Sequence, residues 1–355
     1  MKIFVQIAAY RDPQLIPTIE NMLENAKRPK NIVIGVARQF HPEDGFDDLS
    51  KYKKDKRFRI LDIPYTESKG VCWARHQVQQ LYGGEDYTLQ IDSHMRFEKN
   101  WDDEMIKMIK QLQKKGHKKP LLTGYVSSFD PENDPAGRVT EPWRMVFDRF
   151  TPEGVVFFLP ETIPGWKEMK QPVPARFYSA HYCFTLGEFS TEVQHDPEFY
   201  FHGEEISITV RAYTHGYDLF HPHKVLIWHE YTRKGRTKQW DDDKDWYLRN
   251  TACHVKNRQL LGVDGEKFDG DYSEWFGTER TIQDYEFWVV AFHNDKDETL
   301  YRKDADINEI NGFFRDPDGY CKVWREFNTT QRPKYWVVWP YSKSKGWCDR
   351  LTGNL

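Results

Sequence analysis

The sequence predicts an α/β fold: a doubly wound, mostly parallel sheet flanked by helices, followed by a small β-rich appendage. Three observations predict it. Strand and helix patterns alternate from the amino terminus, the early strands are continuous apolar runs as in sheets covered on both faces, and turn-punctuated β runs dominate after residue 275. The domains read as 1–262 and 275–355.

The run Lys2-Ile-Phe-Val-Gln-Ile-Ala-Ala-Tyr10 is a buried strand, closed by Arg11-Asp12-Pro13 and followed by an amphipathic helix to about Lys27. Asn31–Ala37 and Phe58–Ile63 repeat the strand pattern, and Gly70–Leu81 reads as a helix. Asp86–Phe97 is a short apolar strand that carries Asp92 and His94 at its end. Ser127–Thr140, rich in Pro, Asp, Asn and Gly, is a loop, and Thr151–Pro174 holds a hairpin and a Pro-Gly-Trp loop. Ala180–Leu186 is a further strand. Gly203 then opens a helix with Glu204 and Glu205 in its first turn, apolar positions at Ile206, Val210 and Tyr213, and a glycine stop at Gly216. Tyr217–His229 contains two short strands ending in a histidine, a basic stretch covers Tyr231–Lys238, and a helix runs from about Trp240 to Leu261. Beyond it, Tyr285–Phe292, Glu298–Arg302, Tyr320–Phe327 and Lys334–Trp339 are strand-like runs between turn residues.

Ligands of doubly wound sheets sit at the carboxyl ends of the strands, where Tyr10, Arg11, Asp12 and Asp92 fall. Side chains two apart on a strand share a face, so Asp92 and His94 can hold one divalent cation while Ser93 points away. Such a pair alone is more often a cap or a surface contact; a later strand-end histidine, His229, offers a third ligand. Carboxylate with imidazole suits a borderline cation such as Mn2+, with Mg2+ as the alternative, and leaves positions open for phosphate oxygens. Neither a Gly-x-Gly-x-x-Gly fingerprint nor a Walker lysine loop is present, which disfavours ordinary dinucleotide and P-loop sites.

Composition bounds the rest. At 355 residues, with 39% hydrophobic and 15% aromatic content, the chain can build one large domain and a smaller one. A formal net charge of −4 gives no overall basic footprint for nucleic acid. The five cysteines form no Cys-x-x-Cys pair and read as reduced thiols. With no leader-like segment and no apolar run long enough to span a bilayer, the expectation is a cytoplasmic protein without membrane contact.

Ile7-Ala-Ala-Tyr-Arg-Asp12, Gly70-Val-Cys-Trp-Ala-Arg75, Leu89–Phe97, Phe201-His-Gly-Glu-Glu-Ile-Ser207 and Thr214–Asp218, in that order, resemble the hydroxyproline (Skp-type) polypeptide N-acetylglucosaminyltransferases. The likeness to the mucin-type polypeptide N-acetylgalactosaminyltransferases is more distant. The resemblance implies a GT-A fold, a UDP-sugar donor, a divalent metal and transfer with retention. Carried over by position, Asp92, His94 and His229 would ligate the metal, and Arg75 would contact the donor diphosphate or neighbouring groups. Glu204 or Glu205 would hold sugar hydroxyls, and Tyr10, Arg11 and Asp12 would line the nucleoside end. Ser93 joins these as a cofactor-binding candidate, as do Arg233 and Arg236 of the basic stretch, read as a lid over donor phosphates. Two departures stand out: Gly70-Val71 in place of Gly-Pro, and His202 before the Gly-Glu-Glu, which adds an imidazole near the sugar. His181 reads equally as a neighbour of sugar or metal and as core filler.

Should transfer invert the anomeric carbon, Glu204 or Glu205 is the base candidate. The acceptor expected is a protein hydroxyl. The alternatives are a hydroxymethylated base in DNA, as in enzymes of bacterial viruses, and, in another class, a nucleotide-sugar or carbohydrate-binding protein without turnover.

Overall fold

The computed structural model describes residues 1–151, 155–262, 275–282 and 285, together with the backbone of four strands between 319 and 354. Its centre is an eight-stranded sheet in the order β3-β2-β1-β4-β10-β6-β11-β9. These strands are β1 (Ile3–Tyr10), β2 (Ile32–Phe40), β3 (Phe58–Pro64), β4 (Tyr87–Asp92), β6 (Lys119–Thr123), β9 (Val173–Pro174), β10 (Tyr182–Leu186) and β11 (Tyr217–His221). The first four pair in parallel, β10 runs antiparallel between β4 and β6, and β9 is an antiparallel edge. A separate two-stranded ladder joins β5 (Met95–Phe97) to β12 (Ile227–His229). β7 (Trp143–Phe150) and β8 (Val156–Thr162) form a hairpin whose first strand starts before the stretch read as a hairpin from sequence.

Both faces of the central strands are covered, which is why they read as unbroken apolar runs. Ile3, Val5 and Ile7 pack with Leu15, Ile19 and Met22 of α1 (Leu15–Asn25) and Trp101, Met105 and Ile109 of α3 (Trp101–Lys114). Phe4, on the opposite face, packs with Ala74 and Val78 of α2 (Val71–Gln79). Beside the short α4 (Phe189–Glu192), α5 (Glu204–Thr214) lays Ile208 and Ala212 against Leu219 and Leu121. The stretch read as one helix from Trp240 is α6 (Gln239–Asp242) and α7 (Trp246–Leu261).

Trp275, Gly277, Arg280 and Tyr285 fall in the stretch that the sequence groups with the appendage, but their contacts are with the sheet domain. Arg211 donates to the Trp275 carbonyl, Gly277 N–H to Thr214 Oγ1, Arg280 pairs with Asp218, and Tyr285 OH donates to the Arg176 carbonyl. Of the expected strand runs farther on, Glu298–Arg302 and nearly all of Tyr285–Phe292 lie outside the described residues. β13 (Gly319–Trp324) and β14 (Tyr335–Ser342) pair antiparallel, and β15 (Gly346–Trp347) and β16 (Leu351–Asn354) both pair with β14.

Candidate active site

β4 ends at Asp92, the chain bends through Ser93 and His94, and β5 begins at Met95, directly opposite His229 on β12. That pairing closes the triad. Asp92 Oδ2 lies 3.2 Å from His229 Nε2 and 3.5 Å from His94 Nε2, and one ligand atom of each residue falls within 4.8 Å of the others. Bonds of about 2.1 Å to a shared ion place neighbouring ligands roughly 3 Å apart, so the donor set fits a divalent cation with little movement. Burial lowers the His229 imidazole to about 4 against the pull of Asp92, leaving it neutral, the form in which it ligates metals.

Asp12 completes the setting. Its Oδ2 lies 2.7 Å from His94 Nδ1 and accepts from Ser93 Oγ at 2.6 Å and Arg236 Nη1 at 3.0 Å. Burial works against its charge, yet His94 and Arg236 outweigh it and hold the carboxyl far below the usual range. A carboxylate on Nδ1 keeps the proton there and turns the Nε2 lone pair toward Asp92. Ser93 does not point away: its hydroxyl is buried on Asp12.

Arg75 is buried, and carboxylates take both of its terminal nitrogens. Only 5% exposed, it donates Nη1 to both oxygens of Glu204 at 2.7 Å and Nη2 to Asp92 Oδ1 at 2.6 Å. Its helix starts at Gly70, where φ is +109° and a Cβ would stand 2.6 Å from the Tyr200 ring, so only glycine fits. The adjacent carboxyls of α5 are driven in opposite directions. Burial would raise Glu204, but Arg75 and His195, whose Nδ1 lies 2.7 Å away, lower it to about 2. Glu205 has no cation that close among the described residues, and burial raises it to about 7 despite bonds from the Ala180 N–H at 3.0 Å and Tyr125 OH at 3.0 Å.

Two cavities meet at this group and share Arg75, Asp92, Phe201, His229 and Arg233. The first, at the end of β1, is also lined by Tyr10, Asp12, Ser93, His94 and Arg236. The second, under the β7–β8 hairpin, takes in Glu204, Glu205, His181 and His202. Arg11 is the sequence candidate that lines neither; it spends its guanidinium on Asp44 and Asp242, and Tyr10 OH donates to the same Asp242. Sequence reasoning missed Gln39, Ser68 and Trp240 in the first cavity and Tyr125 and Tyr231 in the second. It also missed His195 and Glu230, which hold Glu204 and Arg236. Of these, only Gln39, a polar residue near the carboxyl end of β2, carried a readable signal.

A family model described as glycosyltransferase (GlcNAc) matches residues 2–56 and 46–285. The chain belongs to the GlcNAc glycosyltransferase family. Among solved structures, this glycosyltransferase is similar to GalNAc-T7 crystallised with UDP, GalNAc and Mn2+, at TM-score 0.55 and 16% identity over 81% of this chain. It spans 54% of that protein, about half its length. TarS 1-349 of S. aureus in complex with UDP-GlcNAc matches at TM-score 0.44 and 12% identity, over 74% of this chain and 71% of that one. No curated protein sequence matches the chain. The expected GT-A fold is the one the glycosyltransferase has. Among the described residues, no helix is long and apolar enough to cross a membrane.

Proposed function

We propose that the chain catalyses metal-dependent transfer of a sugar, GlcNAc first among the candidates, from a UDP-sugar to a protein hydroxyl, with retention at the anomeric carbon. The Asp92–His94–His229 triad, set between two cavities at the carboxyl ends of β1 and β4, carries the reading. The likeness in fold to GalNAc-T7, whose crystals held UDP and Mn2+, supports the same donor nucleotide and ion here by analogy. The sequence resemblance to hydroxyproline-directed transferases supports the protein acceptor.

In this reading, the first cavity takes the nucleoside diphosphate and the second takes the sugar and the incoming hydroxyl. A bound divalent ion supplies Lewis-acid stabilisation of charge on the departing diphosphate. Arg233, on the wall common to both cavities, is placed to share that charge. Arg75 keeps Asp92 and Glu204 ionised and fixed, which leaves Glu204 poorly suited to take a proton. In front-face retention the sugar–phosphate C–O bond breaks, the acceptor oxygen bonds the same carbon on the same face, and its proton passes to a diphosphate oxygen. A second reading is favoured by the Glu205 carboxyl near 7: direct inversion, with Glu205 as the base.

The test is UDP release by the purified protein over a panel of UDP-sugars, with Mn2+ or with EDTA and without acceptor. Metal-dependent release from one sugar fixes donor and class. Absence of both release and metal-dependent UDP binding overturns the reading in favour of a protein without turnover.

A further inference from the structure

The two histidines of the triad are held by different means. His94 has a carboxylate on its second nitrogen, the usual arrangement for a metal-binding imidazole. The second nitrogen of His229, Nδ1, is buried and has no hydrogen-bond partner among the described residues. Ladder bonds fix the His229 backbone, with its N–H on the Ser127 carbonyl and its carbonyl accepting from Phe129 N–H. They do not fix the ring. A histidine χ2 is broad and roughly two-fold, and a half-turn replaces the nitrogen facing Asp92 with a carbon.

Packing supplies what hydrogen bonding does not. The His181 ring lies on the face of His229, 4.4 Å between centroids and 27° between planes. Tyr231 meets His229 edge-on at 4.3 Å and 66°, and Tyr231 is itself anchored by its hydroxyl to the Val126 carbonyl. His181 is anchored on both nitrogens. Val126 N–H donates to Nε2 at 3.3 Å, so the ring proton sits on Nδ1, which faces Ser179 Oγ at 3.2 Å. A neutral ring with both nitrogens engaged has nothing left to offer a sugar hydroxyl, but it presents a flat surface that admits one orientation of its neighbour.

We propose that His181 is a positioning residue for the metal ligand His229, acting through the face of its ring, with Tyr231 as the second jaw of the clamp. This rests on the metal reading of the triad given above. What matters at position 181 is then planarity and size, with the imidazole nitrogens serving to hold the ring in place.

The experiment compares His181→Ala, His181→Leu and His181→Phe with wild type and Asp92→Asn, by calorimetric titration with Mn2+ and by kcat and KM for UDP release. Losing an outer support of a metal ligand costs about 10–100-fold in metal affinity. His181→Ala and His181→Leu are expected to weaken Mn2+ binding by that order and to lower kcat at subsaturating metal. His181→Phe, which keeps a ring but no nitrogen, is expected to retain Mn2+ affinity within a few-fold. Leucine fills the volume, so it serves where alanine does not fold. Unchanged Mn2+ affinity in His181→Leu overturns the clamp while the metal reading stands. Equal losses in the leucine and phenylalanine variants overturn it too, by assigning the role to the nitrogens. If wild type and Asp92→Asn bind Mn2+ alike, the metal reading itself has failed.

Discussion

On the β1 side of His229 the cavity wall is built from charge: Asp12 with Arg236 and His94, Arg236 with Glu230, and Tyr10 with Asp242. On the hairpin side it is built from Val155, Val156, Phe157, Phe158 and Ile206, with Glu205 as a carboxyl that has no close cation among the described residues. Under the proposed function, the charged wall would face the nucleotide and the apolar wall the largely neutral sugar ring. The difference turns on Arg75. Glu204 and Glu205 are consecutive residues of one helix turn, and the guanidinium reaches the first and not the second. Burial therefore produces a fixed anion at one position and a titrating acid at its neighbour.

Arg75→Met breaks that comparison at its root and carries the largest expected effect on stability. It strands two carboxylates that share one buried cation, and breaking such a pair costs about 3–5 kcal/mol. Urea unfolding measures it; a loss under about 1 kcal/mol would mean that both carboxyls simply take up protons. Asp92→Asn comes next, acting on chemistry. Metal stabilisation of the leaving group is worth several kcal/mol, so metal-dependent UDP release should fall by at least ~100-fold. Turnover within a few-fold of wild type would remove the triad from the mechanism.

Glu205→Gln sharpens the contrast between the neighbours. In the fold the Glu205 carboxyl titrates near 7, above the roughly 4.3 of an unfolded glutamate. Across that window the folded chain keeps a proton that the unfolded chain has lost, so this group makes stability fall as pH rises from the lower value to the higher. Above the window its contribution is constant. The glutamine variant should lose this segment of the stability–pH curve, while the corresponding variant of Glu204, lowered to about 2, should not. An unchanged slope in Glu205→Gln would place the titrating group elsewhere.

What could be read from sequence follows the range of the interactions. The strands of the amino-terminal half were legible because both faces are covered and the apolar runs are unbroken. Asp92 and His94 were legible because they sit together at one strand end. The partner of Arg75 was not: Glu204 lies 129 residues away, and helical periodicity says nothing of which face of another helix an arginine will meet. His195 and Tyr125 went unnoticed for the same reason, since each acts through a contact between distant segments. Trp275, Gly277 and Arg280 precede the β-like runs and carry no pattern of their own, and only their contacts with α5 and β11 show where they pack.

The basic stretch Tyr231–Lys238 shows the limit most clearly, because its sequence presents equivalent cations that the fold treats unequally. The Arg236 side chain is 9% exposed and is pinned by Asp12 and Glu230. Lys234 is 75% exposed and meets Glu132, itself 74% exposed, at 3.2 Å. An exposed pair of long side chains gains little in water and is screened by salt. Lys234→Ala should therefore change KM for the donor by less than about two-fold, whereas Arg236→Met, which uncovers Asp12 beside His94, should weaken Mn2+ binding. Initial rates over a range of donor and Mn2+ concentrations separate the two. Equal losses in both variants would show that the stretch acts as a diffuse positive field over the first cavity, and the charged wall would then owe less to its individual ion pairs than to the net charge of the segment above it.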